Sequence, residues 1–248
     1  MKLFEALELA RYREVALVGS GGKTTSLYLL GRELAAQGKQ VVLTTTTRMY
    51  PPPPEIPLLL GEHDSNSLTA ANPVFVGSGM EGGKVLGISC RQLEKIRRLP
   101  QVDAIIIEAD GSQGLPLKFP GIHEPVICSP ETLVVPVAGI SALGQRLGEG
   151  NFQRLPLACR YLGLRAGEVI TPGMVARVMC HPLSYGRFFG VNAVIPLLNQ
   201  ADTPAREKAA REVATLLLGQ EGIGRVVIAA VETAAPLRGV LTAGRRSH

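Results

Sequence analysis

Tryptophan is absent from this 248-residue chain, and aromatic residues make up only 4% of it. The net charge is +5, yet apart from Arg97-Arg98 and Arg245-Arg246 the basic residues are scattered. A polynucleotide therefore finds no basic stripe interleaved with stacking rings, so nucleic acid is not an expected partner. Phosphorylated small molecules suit so modest an excess. The four cysteines (Cys90, Cys128, Cys159 and Cys180) form no Cys-x-x-Cys pair. That argues against a metal or redox motif and predicts reduced, mostly buried thiols. No apolar run reaches the roughly 18 residues of a membrane span. The first residues carry Lys2, Glu5, Glu8, Arg11, Arg13 and Glu14 instead of a signal-peptide segment, so the expectation is a cytoplasmic protein without membrane contact. Neither repeats nor a clear linker divide the chain, and one domain over 1–248 is expected.

What is present is 46% apolar residues, a composition suited to an aliphatic α/β protein. Its most informative stretch, residues 14–25, reads Glu-Val-Ala-Leu-Val-Gly-Ser-Gly-Gly-Lys-Thr-Thr. An apolar run ending in glycine has the character of a strand buried on both faces. Behind it Leu27, Leu30, Leu34 and Ala35 recur at helical spacing as far as Gly38. A buried strand, a glycine turn and a helix N-terminus together make an anion site, because backbone N–H groups and the helix dipole point to one place. The turn of Gly19, Ser20, Gly21, Gly22, Lys23, Thr24 and Thr25 is a shortened phosphate-binding loop. In it Lys23 can reach a phosphate and the Thr24 hydroxyl can ligate Mg2+.

Residues 2–12 are predicted as an amphipathic helix and 40–46 as a second, parallel strand. Thr44, Thr45, Thr46 and Thr47 emerge at its carboxyl end, where α/β sheets hold ligands. Thr45 and Thr46 are candidates for sensing a γ-phosphate. Pro51, Pro52, Pro53 and Pro54 mark a rigid excursion. Residues 73–77 and 84–88 are predicted to pair as an edge hairpin around a Gly-rich turn. Ser89 is expected to cap a helix running through Arg98.

A second apolar run, residues 104–107, leads into Glu108-Ala109-Asp110-Gly111. Carboxylates at the end of a buried strand hold magnesium or orient an attacking water, and period-2 alternation places Glu108 and Asp110 on one side. The long loop 111–129 carries Lys118, His123 and Glu124, candidates for a substrate-binding loop. Further on, a strand is expected over 132–137, Ser141 as a cap, a helix over 151–165, a helix opening at Thr171-Pro172 and a strand over 193–198. Asn199-Gln200-Ala201-Asp202 is similar to the guanine-reading motif of GTPases, with Gln where that motif has Lys. Asp202-Thr203-Pro204 also reads as a helix cap. The last strand is expected over 225–231, and 245–248 as a mobile tail. The architecture these elements predict is α/β and three-layered. Five or six parallel strands are flanked by helices, with a β-hairpin addition and an inserted loop and helical region over 111–190.

With these residues named, the sequence resembles the selenium-dependent hydroxylase accessory (YqeC) family. The resemblance rests on Val-Gly-Ser-Gly-Gly-Lys-Thr-Thr, Leu-Thr-Thr-Thr-Thr-Arg and Ile-Glu-Ala-Asp-Gly-Ser with Pro116-Leu117-Lys118 and His123-Glu124-Pro125, and on Leu-Asn-Gln-Ala-Asp. It implies a P-loop nucleotidase, using ATP or GTP with Mg2+, that assists maturation of a molybdenum or selenium hydroxylase cofactor. Lys23, Glu108 and Asp110 would be catalytic, Thr24, Glu108 and Asp110 would hold the metal, and Asn199 and Asp202 would bind the base. The short loop is also similar to that of the Mur ligases, which leaves an ATP-dependent ligase or kinase as an alternative. A nucleotide-switched chaperone for cofactor or metal is another.

Overall fold

A computed structural model describes residues 1–62 and 65–244, so the tail expected at 245–248 lies outside the described residues. The helix predicted over 2–12 is interrupted: α1 (Leu3–Ala6) is followed by a 3-10 turn, Leu9–Arg11. Between them Glu8 takes a left-handed φ of 54°, which a right-handed helix cannot propagate through. β1 (Glu14–Gly19) and α2 (Lys23–Ala35) bracket the glycine turn as their periodicities predict, and β2 (Val41–Thr45) follows. Then come β3 (Arg48–Met49), the four prolines outside any helix or strand, β4 (Leu58–Leu60), α3 (Ser65–Thr69) and β5 (Val74–Gly77).

The expected hairpin is displaced. β6 (Gly79–Glu81) and β7 (Lys84–Leu86) make it, turning at Gly82 and Gly83, and pair with β3 in a small separate sheet. β5, wholly buried, belongs to the main sheet instead. α4 (Cys90–Arg97) opens with Ser89, whose hydroxyl accepts from the Gln92 N–H as the cap reading requires. β8 (Ala104–Glu108), β9 (Leu117–Lys118) and β10 (Leu133–Gly139) follow. Ser141 caps nothing; it lies inside a 3-10 turn, Ile140–Ala142. Beyond β11 (Phe152–Gln153) the expected helix is shorter, α5 (Leu155–Leu162), because Arg154 before it and Gly163 after it are both left-handed. α6 (Pro172–Cys180) and α7 (Pro204–Leu218) open at Thr171 and Thr203, whose hydroxyls accept from the third residue on. β12 (Leu197–Asn199) precedes α7; β13 (Arg225–Ala229) and β14 (Leu237–Thr242) end the described chain.

The main sheet has nine strands among the described residues, in the order β14-β13-β12-β10-β1-β8-β2-β5-β4. All neighbours pair in parallel except β13 and β14. The count exceeds the expected five or six because β5, expected in the hairpin, joins the main sheet, and because β4 and β14 lie at the edges, half-exposed and without the long apolar runs that mark central strands. β10, a direct neighbour of β1, comes from within the stretch 111–190, so that stretch is not an insertion outside the sheet. From β1 the chain passes to β2 on one side, whereas from β10 it passes to β12 on the other. The order therefore reverses at β1 and β10, and the crevice beyond their carboxyl ends is where such sheets hold ligands.

The structure also corrects the cysteine expectation. Cys90, at the start of α4, and Cys128, in the loop leading to β10, are joined by a disulfide, while Cys159 and Cys180 are free. The two bonded residues are 38 positions apart, and only the packing of α4 beside that loop brings them together.

Candidate functional site

The glycine turn is pressed against its neighbours. A Cβ on Gly21 would stand 2.3 Å from the Gly139 nitrogen, and one on Gly22 would stand 2.2 Å from Asn199 Nδ2. Both residues also have positive φ, so glycine is required twice over. Ser20 N–H donates to the Val137 carbonyl at 2.9 Å, and the first backbone bond of α2 runs from Ser26 N–H to Gly22 at 2.9 Å. Among the described residues no acceptor faces the N–H groups of residues 21–25. Five consecutive unpaired donors at a helix N-terminus make an anion site.

Lys23 is 2% exposed. Its Nζ donates to the Gly19 carbonyl at 2.6 Å and lies 3.2 Å from Asp110 Oδ1. Asp110 is fully buried, and its oxygens are heavily used. Gly19 N–H donates to both, at 3.0 and 2.9 Å; Lys118 Nζ lies 3.1 Å from Oδ2, and Tyr185 OH is 3.4 Å from the same atom. The strand-end carboxylates thus meet the loop, as the sequence predicts, but in different roles. Asp110 fixes the loop and two ammonium groups, whereas Glu108 meets Thr24.

Glu108 Oε2 accepts from the Thr24 hydroxyl at 2.7 Å. Burial raises its carboxyl above the ordinary value, against the opposing pull of Lys23 and Thr24. One helical turn past Thr24, the buried Tyr28 hydroxyl has no hydrogen-bond partner among the described residues; burial and the Glu108 charge push that phenol upward. No cluster of three or more His, Cys, Asp or Glu among the described residues is placed to hold a metal. Magnesium fits what is there, because it is commonly held by one or two protein oxygens together with phosphate oxygens and water. Thr24 is exposed, and Thr24 and Glu108 supply such a pair.

The remaining predicted residues are placed differently. Thr45 is fully buried: its hydroxyl donates to the Glu108 carbonyl at 2.9 Å and accepts from Thr47 N–H, leaving nothing for a γ-phosphate. Thr46 is half-exposed at the same edge, 3.4 Å from the Ala109 carbonyl. Asn199, 1% exposed, braces the glycine turn. Its Nδ2 donates to the Gly21 carbonyl at 2.8 Å, and its Oδ1 accepts from Val231 N–H at 3.1 Å. Replacing it with alanine (Asn199→Ala) would orphan both groups, and a loss of roughly 2–4 kcal/mol in urea unfolding is expected; a change below about 0.5 kcal/mol would sink the brace. Asp202 is exposed and paired with Arg206 at 2.6 Å.

Lys118 and Glu124, read as a substrate loop, are committed to the fold. Lys118 Nζ reaches the Gly111 carbonyl at 2.6 Å and Glu124 Oε2 at 2.9 Å, and Glu124 is gripped by Arg154 at 2.7 and 3.0 Å. Arg187 donates to the Glu124 carbonyl. His123 stands exposed beside them. The 111–118 segment walls the glycine turn: Ser20 hydroxyl donates to Leu115 O, and Gly139 N–H to Pro116 O at 2.8 Å. Arg154, Tyr185 and Arg187 carry no sequence signal, since they reach Asp110 and Glu124 only through the fold.

This cluster predicts an acid sensitivity. Burial opposes ionisation of Glu124, yet Arg154 and Lys118 outweigh it and hold the carboxyl at about 2, down from 4.5. A depressed carboxyl stabilises the folded state when ionised. The contribution is therefore complete above about pH 4.5 and fades as pH falls toward 2, with roughly 3 kcal/mol as an upper bound. Urea unfolding of wild type and Glu124→Gln should converge across that window; a pH-independent gap would contradict the assignment.

The comparisons agree with the motifs. The family described as YqeC protein matches residues 15–156, which include the glycine turn, Glu108, Asp110 and Lys118. A protein of Escherichia coli (strain K12), "Uncharacterized protein YqeC", is 33% identical over 175 residues, 68% of each chain. This chain belongs to the YqeC family.

Proposed function

We propose that this protein is a magnesium-dependent nucleoside triphosphatase, using ATP or GTP, that serves as an accessory factor in maturation of a selenium or molybdenum hydroxylase cofactor. The observation that carries the nucleotide reading is the row of five N–H groups at residues 21–25, unpaired among the described residues, beginning α2 beside Lys23. Those amides would receive the phosphate oxygens. Lys23 has three N–H donors and two protein acceptors, so one remains for the β- and γ-phosphates, whose developing charge it would neutralise. Asp110 holds Lys23 and Gly19 in position. Thr24 and Glu108 would hold the metal ion, which supplies charge neutralisation on the transferring phosphate. The base would lie at a shallow cavity of about 40 Å³ lined by Asn199, Gln200, Asp202 and residues 230–233.

The accessory role rests on the family motifs, above all Glu-Ala-Asp-Gly with His123-Glu124-Pro125. A ligase or kinase would need Lys118 and Glu124 for an acceptor, and their mutual pairing weighs against it. Thermal shift with ATP, GTP and CTP, each with and without Mg2+, tests the reading, since a ligand that binds only the native state stabilises it by about 4 kcal/mol at 1,000 times its Kd. A magnesium-enhanced shift with ATP or GTP and phosphate release without any acceptor are expected. Failure of all three nucleotides to shift the transition would contradict the proposal.

A further inference from the structure

The Cys90–Cys128 disulfide spans a Cα–Cα distance of 5.4 Å beside the candidate site. Cys90 is exposed as the first residue of α4, and Cys128 is half-buried in the loop beyond Glu124. Each side is tied to the sheet edge from which Glu108 and Asp110 emerge. On the first, Ile88 N–H donates to the Thr45 carbonyl at 2.8 Å; on the second, Val126 N–H donates to the Ala109 carbonyl at 3.3 Å. Glu124, four residues before Cys128, holds Lys118, and Lys118 holds Asp110. The bond therefore straps the segments beyond β2 and β8 to each other. Its more exposed residue sits at a helix N-terminus, where backbone N–H groups stabilise a thiolate and make it a better leaving group.

We propose that Cys90 and Cys128 form a reversible thiol–disulfide pair which, by exchange with a dithiol, sets how firmly the Glu124 loop supports the phosphate site. The effect on ligand affinity rests on the nucleotide reading above. In the exchange, one thiolate of the dithiol attacks the Cys90 sulfur. The Cys90–Cys128 bond breaks, and Cys128 leaves as a thiolate that takes up a proton. The second dithiol sulfur, having lost its proton, displaces Cys90, which leaves as a thiolate and is protonated in turn. Two electrons and two protons pass to the protein, and the dithiol ends as its own disulfide. Once reduced, residues 121–128 lose their tether to α4, Glu124 grips Lys118 less firmly, and Asp110 is held less well against Gly19 and Lys23.

The test equilibrates the full chain in mixtures of reduced and oxidised dithiothreitol, counts thiols by alkylation and mass after acid quenching, and measures Mg·ATP and Mg·GTP affinity in each mixture. One transition is expected, from the two free thiols of Cys159 and Cys180 to four with Cys90 and Cys128 added. Affinity should fall about fivefold or more on reduction, the scale of ordinary site-to-site coupling. A Cys90→Ser/Cys128→Ser variant should keep the lower affinity in every mixture. A pair that never opens, or one that opens with affinity unchanged, overturns the proposal. If neither nucleotide binds in either state, the nucleotide reading falls, and amide exchange at residues 121–128 decides: faster exchange on reduction supports the redox coupling, and unchanged exchange overturns it.

Discussion

An Asp110→Asn variant is expected to lose about 3–5 kcal/mol of stability, the range for breaking a buried ion pair and leaving charge uncompensated. Asp110 is the carboxylate between two ammonium groups, Lys23 at 3.2 Å and Lys118 at 3.1 Å, with all three side chains at most 1% exposed. Asparagine fills the same volume and keeps an acceptor for Gly19 N–H, so the loss is electrostatic and not a cavity effect. It leaves Lys23 with a carbonyl partner alone and Lys118 with Glu124 as its remaining counter-ion. Adding Lys118→Met removes one of the two stranded charges and should restore part of the loss, a coupling that a urea double-mutant cycle reads directly. Strict additivity of the two substitutions would mean that the cluster is not the unit described here.

Lys23→Ala should lower nucleoside triphosphate turnover by at least about 10²–10³, the cost of removing one preorganised donor from developing charge. The fold should tolerate this change better than the loss of Asp110, because Asp110 keeps Lys118, both contacts with Gly19 N–H and the Tyr185 hydroxyl. Thermal melts of the variant without ligand separate the two effects: a cooperative transition with turnover gone is the expected pair of results. Lys23→Arg should not rescue, since a side chain only 2% exposed and bonded to Gly19 at 2.6 Å leaves no room for a guanidinium. Wild-type turnover in Lys23→Ala would remove Lys23 from the chemistry.

Local signals made β1, α2 and β8 legible, because continuous burial of a strand and 3.6-residue spacing of leucines are written in neighbouring residues. The caps at Ser89, Thr171 and Thr203 were legible for the same reason. Residues 108–110 could be matched to the loop from the rule that strand ends face ligands, and Thr24 and Glu108 do meet at 2.7 Å. The division of labour between the two carboxylates was not legible. Alternation gives the side of the sheet but not the partner, and Asp110 is claimed by Lys118 from the short strand β9. Asn199 illustrates the same limit: its position after β12 was readable, whereas its use of both amide ends on Gly21 and Val231 depends on how three segments converge. Arg154, Tyr185 and Arg187 lie far along the chain from Asp110, and no spacing rule reaches them.

The most direct test of the account follows the backbone amide resonances of residues 21–25 while Mg·ATP or Mg·GTP is added to the isotopically labelled chain. Gly21, Gly22, Lys23, Thr24 and Thr25 should show the largest shifts, saturating together with a single dissociation constant, as expected if their N–H groups receive the phosphates. Unmoved amides across 21–25 at a nucleotide concentration that saturates shifts elsewhere in the protein would contradict it.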